Sequence, residues 1–95
     1  MKKDFKGKVV VITGASSGIG KALALEFAAH GANVVAAARS LEKLQHLQSE
    51  TGSQENKILP VRTDVSNEQD CLRLIDTTLS TFGRIDVMIN NAGIS

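Results

Sequence analysis

The sequence predicts an α/β fold on a parallel sheet, the first part of a doubly wound architecture. Apolar runs alternate with amphipathic stretches, and Gly, Ser or Asn marks each boundary, as in βα units. The first run, Val9 to Thr13, is β-branched throughout without polar alternation, so it suits a strand covered on both faces.

A helix over Ile19 to His30 follows, with Ile19, Leu23 and Phe27 at intervals of four and Gly31 placed as a left-handed C-cap. Asn33 to Ala38 reads as the second strand. Ser40 then caps a helix that carries Leu41, Leu44 and Leu47 on one face and stops at Gly52. The third strand, Ile58 to Thr63, holds the only proline; Pro60 has no N–H for a sheet ladder, which assigns this strand to an edge. Ser66-Asn67-Glu68-Gln69 reads as a capping box, followed by Leu72, Ile75, Leu79 and Phe82 at helical spacing and by Gly83 as terminator. Ile85 to Asn90 is the fourth strand, with Met88 among its core residues. Right-handed crossovers then give the order 3-2-1-4, with Pro60 on one edge and the first and fourth strands flanking the switch point where a ligand would sit.

Composition narrows the function. Ninety-five residues, 42% hydrophobic and 22% charged, without repeats or long linkers, amount to one domain at most. A net charge of +1 gives no basic field for nucleic acid, and the apolar run Val34 to Ala38 is far short of the roughly 20 residues of a membrane span. Asp4, Lys6 and Lys8 interrupt any signal-peptide core. A single cysteine, Cys71, fits a reducing, cytoplasmic setting. His46, Cys71 and Asp76 lack partners at metal-ligand spacing, so no metal site is expected. There is no tyrosine and no tryptophan.

The chemistry gathers in Thr13-Gly14-Ala15-Ser16-Ser17-Gly18-Ile19-Gly20, between the first strand and first helix, where helix N-terminal amides and dipole hold a dinucleotide pyrophosphate. Gly14 allows the sharp exit from the strand, Gly18 leaves backbone open to phosphates, and Gly20 lets the helix pack closely on the sheet. A plain glycine-rich turn is the alternative, but the GxxxGxG spacing and two hydroxyls within a strand-loop-helix context argue against it.

TGASSGIG resembles the cofactor loop of the classical short-chain dehydrogenases/reductases, a family with a Rossmann-type fold. Asp64-Val65 after the third strand and Asn90-Asn91-Ala92-Gly93 after the fourth resemble two further motifs of that family, in the same order. The resemblance implies that Gly14, Ser16, Ser17, Gly18 and Ile19 line the pyrophosphate and adjoining ribose, with Gly20 completing the loop. It implies that Asp64 accepts from the adenine amino group and that the Val65 amide reaches the adenine ring. Asn91, Ala92 and Gly93 would floor the adenosine ribose, while Asn90 ties neighbouring strands.

The end of the second strand bears on cofactor choice. NAD enzymes place an Asp or Glu about 20 residues beyond the glycine motif, where it holds the ribose 2′-hydroxyl and repels a 2′-phosphate. Here Ala38 stands where the family's aspartate usually falls, Arg39 offers a planar fork, and Ser40 a hydroxyl. The expected cofactor is NADP(H), with NAD(H) second.

The family's catalytic asparagine, serine and YxxxK residues follow the NNAG motif and have no match in these 95 residues. No catalytic residue is therefore assigned. Residues 1–95 are read as the N-terminal cofactor-binding half of a longer NADP-dependent oxidoreductase, homo-oligomeric when complete, acting on a small-molecule carbonyl or alcohol such as a 3-oxoacyl ketone. The half alone is expected to be inactive, and the fourth strand to present an open edge. A catalytically silent nucleotide-binding module is the alternative if the chain ends at Ser95. An extended-family epimerase or dehydratase fits less well, because its loop carries two residues between the first two glycines and this one has three.

Overall fold

The computed structural model describes residues 4–51 and 58–91. In chain order these form β1 (Val9–Thr13), α1 (Gly18–Ala29), β2 (Asn33–Ala38), α2 (Leu41–Ser49), β3 (Ile58–Arg62), α3 (Glu68–Phe82) and β4 (Val87–Asn90). The four strands form one sheet in the order β3-β2-β1-β4, every pair parallel, as the sequence predicts. Pro60 lies on the β3 edge opposite Ala36.

Burial follows from that order. Every residue of β1 is buried, as is all of β2 beyond Asn33, whereas β4 alternates between half-buried and exposed positions. Val10, Ile12, Val34 and Ala36 face one layer, where Ala24 and Ala28 of α1 and Leu44 and Leu47 of α2 cover them. Val9, Val11, Val35 and Ala37 face the other, covered by Leu74 of α3 with Phe82 and Ile85 beside it. The period of two along each central strand thus feeds two cores.

The helices differ from expectation in the faces they bury. Sequence periodicity favours Ile19, Leu23 and Phe27 on α1, but Ile19 is 64% exposed and the buried face is Gly20, Ala24 and Ala28. The reason is proximity: a Cβ on Gly20 would collide with the Gly14 carbonyl and the Asn91 amide, so only small residues fit between helix and sheet. Leu23 and Phe27 pack at the margin, and the Phe27 ring meets Phe5 edge-on with centroids 5.0 Å apart. Gly31 follows the helix at φ 96°, the left-handed conformation expected of it, although the helix itself ends at Ala29.

On α3 the expected stripe is rotated. Leu74, Thr78 and Asp70 are buried, while Leu72 and Leu79 are 53% and 45% exposed. The cap is also one residue later than the predicted box: Asn67 Oδ1 accepts from the Asp70 amide at 3.0 Å, and Ser66 donates to Asp64 instead. Gly83 closes the helix at φ 78°.

β3 stops at Arg62 and β4 begins at Val87, two residues later than predicted. The residues ahead of β4 have other work. Ile85 packs into the second core, and the Asp86 carboxylate accepts from the Val9 amide at 2.7 Å while Arg84 Nη2 donates to it at 2.7 Å. Met88, expected in the core, is 47% exposed: Val87 and Ile89 of β4 pack against the first core, while Met88 alternates to the other face and joins neither core. Gly52, the predicted end of α2, lies outside the described residues, and α2 ends at Ser49 with Glu50 as its cap.

Candidate nucleotide-binding site

Three loops leave the carboxyl ends of β1, β2 and β3 on the same side of the sheet and enclose a cavity of about 450 Å³. Gly14 and Ser16 line it from the first loop, Ala38 to Ser40 with Lys43 from the second, and Thr63 to Ser66 from the third. A parallel sheet places ligand sites here because helix starts and strand ends converge outside the carboxyl edge.

The first loop turns through Gly14 at φ 63° and Gly18 at φ 59°, left-handed conformations that side chains disfavour. No atom lies within 4 Å of a Cβ built on Gly18, so the space above its backbone is open to a ligand. Ser17 is the N-cap of α1, yet its hydroxyl makes no capping hydrogen bond. Ser17, Gly18 and Ile19 are exposed at the start of α1, outside the cavity lining. Gly20 is buried beneath the loop, the close-packing position expected of it.

Two bonds fasten the loop from β4. Asn91 Nδ2 donates to the Gly14 carbonyl at 3.1 Å, and Thr13 Oγ1 donates to Asn90 Oδ1 at 2.9 Å. Asn90 therefore ties adjacent strands, as anticipated. Asn91 is 7% exposed and its side chain supports the loop from behind rather than lining the cavity. Ala92 and Gly93 lie outside the described residues.

Asp64 heads the third loop. Its Oδ1 accepts from the Ser66 hydroxyl at 2.6 Å and the Ser66 amide at 3.0 Å. Those hydrogen bonds, the hydroxyl's first, hold the carboxyl below its ordinary pKa, with the Arg39 charge adding to the effect. Among the described residues Oδ2 makes no hydrogen bond, which leaves an acceptor for a ligand amino group. Val65 beside it is 43% exposed, an apolar surface at the cavity rim.

Sequence reasoning missed three features here. Lys43 and Ser66 line the cavity, and the Lys43 signal was available: it stands three residues after a recognised N-cap, on the same turn. Asp70 lies beneath the third loop, where it accepts from the Asp64 amide at 2.9 Å and from Arg73 Nη1 at 2.9 Å, with Arg62 Nη1 at 3.4 Å. The Asp64 amide, then Arg73, hold its carboxyl below the ordinary pKa. Asp70 thus fixes the turn that carries Asp64 and Val65.

Glycines that leave backbone open, an uncommitted cap hydroxyl, cations after the second strand and a carboxylate with a spare oxygen are groups that can meet a phosphate-bearing ligand. The fold and the position of this cavity define a Rossmann-type nucleotide-binding fold. The short chain dehydrogenase family model matches residues 8–95, and the chain belongs to that family. It is 50% identical over 95 residues to "11-beta-hydroxysteroid dehydrogenase A" of Sesamum indicum, covering 97% of this chain and 27% of that protein. A metagenomic short-chain oxidoreductase solved in complex with NADP superposes with a TM-score of 0.88 at 37% identity, over 95% of this chain and 41% of that one. The 3-ketoacyl-(acyl-carrier-protein) reductase from Brucella melitensis, complexed with NADH, gives 0.80 at 37% identity, over 87% of this chain and 33% of the other. The chain thus spans about a quarter of the sesame relative's length, and its structural neighbours include both cofactor types.

Proposed function

We propose that residues 1–95 form the N-terminal, NADP(H)-binding half of a single Rossmann-type domain in an oxidoreductase that interconverts a carbonyl and a hydroxyl on a small molecule. The observation that carries the cofactor choice is the end of β2. Ala38 stands where a carboxylate would hold a 2′-hydroxyl, and Arg39 and Ser40 line the cavity directly after it.

Gly14, Ser16, Ser17, Gly18 and Ile19 would hold the pyrophosphate and adjoining ribose, and Gly20 keeps the helix start close behind them. Asp64 Oδ2 would accept from the adenine amino group beside the Val65 amide, and Asn91, Ala92 and Gly93 would complete the ribose floor. Arg39 would bind the 2′-phosphate through its fork, and Ser40 can donate its hydroxyl proton there while its oxygen accepts from the Lys43 amide at 3.2 Å. When bound, NADP(H) supplies or receives the hydride. These residues bind and orient.

A hydrogen bond to a charged group is worth about 1.5–3 kcal/mol, or about 10- to 150-fold in affinity. Arg39 is exposed, so solvent screening sets the expected preference for NADP+ over NAD+ near the lower end, about 10-fold. Calorimetric titration of the full chain with each dinucleotide tests this reading; comparable Kd values would overturn it.

The 95 residues contain no tyrosine for proton transfer, and losing a general acid alone costs about 10²- to 10⁴-fold. The complete enzyme would be a cytoplasmic homo-oligomer. The sesame relative's name puts hydroxysteroids beside 3-oxoacyl ketones among substrates to assay. A 95-residue product incubated with NADPH and such ketones should leave the reduced-nicotinamide absorbance unchanged.

A further inference from the structure

We propose that Lys43 is a second specificity determinant for the phosphorylated ribose, acting with Arg39 so that the cavity selects a 2′-phosphate over a 2′-hydroxyl. The inference rests on the NADP(H) reading above.

Lys43 is the third residue of α2, and its amide is held by the Ser40 hydroxyl, so its stem rises from the turn that carries Ser40. Lys43, Ser40 and Arg39 all line the cavity. On a helix surface, charges pair at spacings of three and four. At those spacings within α2 Lys43 finds His46 and Leu47, and neither is a carboxylate. The lysines and arginines that form ion pairs among the described residues are Lys21, Arg62, Arg73 and Arg84. Arg39 and Lys43 are thus two cations of the cavity lining that make no ion pair among the described residues, although the Arg39 charge acts on Asp64. Asp64, in the same lining, already has one carboxylate oxygen engaged by Ser66.

Arg39 precedes the cap of α2 and Lys43 stands in its first turn, and two like charges bordering one cavity repel each other. A dianion seated between them removes that repulsion and gains both attractions; a neutral hydroxyl does neither. The two side chains divide the work by chemistry: the arginine fork fixes orientation, and the lysine ammonium, a point charge on a flexible stem, follows the phosphate as a counter-charge. Lys43 is exposed, so its effect depends on salt.

The test compares adenosine 2′,5′-bisphosphate with 5′-AMP, ligands that differ only in the 2′-phosphate, by calorimetric titration of the full chain. The wild type should favour the bisphosphate. Lys43→Gln should lose about 3- to 5-fold of that preference at low salt with 5′-AMP affinity unchanged, and Lys43→Arg should retain it. Added salt should erode the wild-type preference more than that of Lys43→Gln. A wild-type ratio in Lys43→Gln, or equal loss of both ligands, would overturn the assignment of Lys43. If Arg39→Gln loses the preference and Lys43→Gln keeps it, only this inference fails. A wild type that does not discriminate defeats the cofactor reading, and this inference with it.

Discussion

Gly20 fixes the distance between α1 and the sheet through what it lacks. Its missing side chain admits the Gly14 carbonyl and the Asn91 amide, so Gly20→Ala must push either the helix or the loop outward. Overpacking of this kind costs about 1–3 kcal/mol, and the expected result is a lower urea midpoint with weaker dinucleotide binding; an unchanged midpoint would contradict the packing. This role was legible in the sequence because GxxxGxG between a strand and a helix puts its last glycine where the helix meets the sheet. Asp70 was not legible. An Asn or Ser at either of two adjacent positions can cap a helix, and only the fold shows that Asn67 does so and turns the Asp70 carboxylate towards the Asp64 amide.

At the scale of elements, helices and strands were legible from period and punctuation, and β2 was read with its bounds intact. The faces of α1 and α3 were not. Counting large apolar residues assumes that the largest point inward, yet α1 meets the sheet through Gly20, Ala24 and Ala28. On α3 the leucines fall on two sides, and the docking direction chooses Leu74 over Leu72. The two positions therefore separate in mutagenesis. Leu74→Ala should destabilise by about 2–5 kcal/mol, while Leu72→Ala at a half-exposed site should stay within about 0.5 kcal/mol. Chemical denaturation of both variants checks the pair; equal losses would contradict the observed rotation of α3.

At the scale of the whole molecule, topology was the most legible property, since one proline and the handedness of crossovers leave few arrangements of four strands. Long-range polar ties were invisible beforehand, because nothing in local sequence announces that Asp86 will bind the Val9 amide. Those ties govern the response to acid. Arg84, and then the Val9 amide, hold the Asp86 pKa below its ordinary value, and Asp64 and Asp70 are lowered likewise. A lowered folded-state pKa means that the unfolded chain takes up protons first as pH falls. Stability from these groups is therefore complete above the ordinary aspartate pKa of about 3.9 and drains away as pH falls towards the lower folded-state values. Urea midpoints should be level from about pH 7 to pH 5 and drop below about pH 4, less steeply for Asp86→Asn. The bonds from Asn91 to Gly14 and from Thr13 to Asn90 have a mechanical consequence as well. They clasp the tips of β1 and β4 together and buttress the first loop from behind, while the exposed side chains of Arg39, Lys43 and Ser66 line the cavity. On the reading proposed above, a dinucleotide would thus meet an anvil at the first loop, braced from behind by the end of β4.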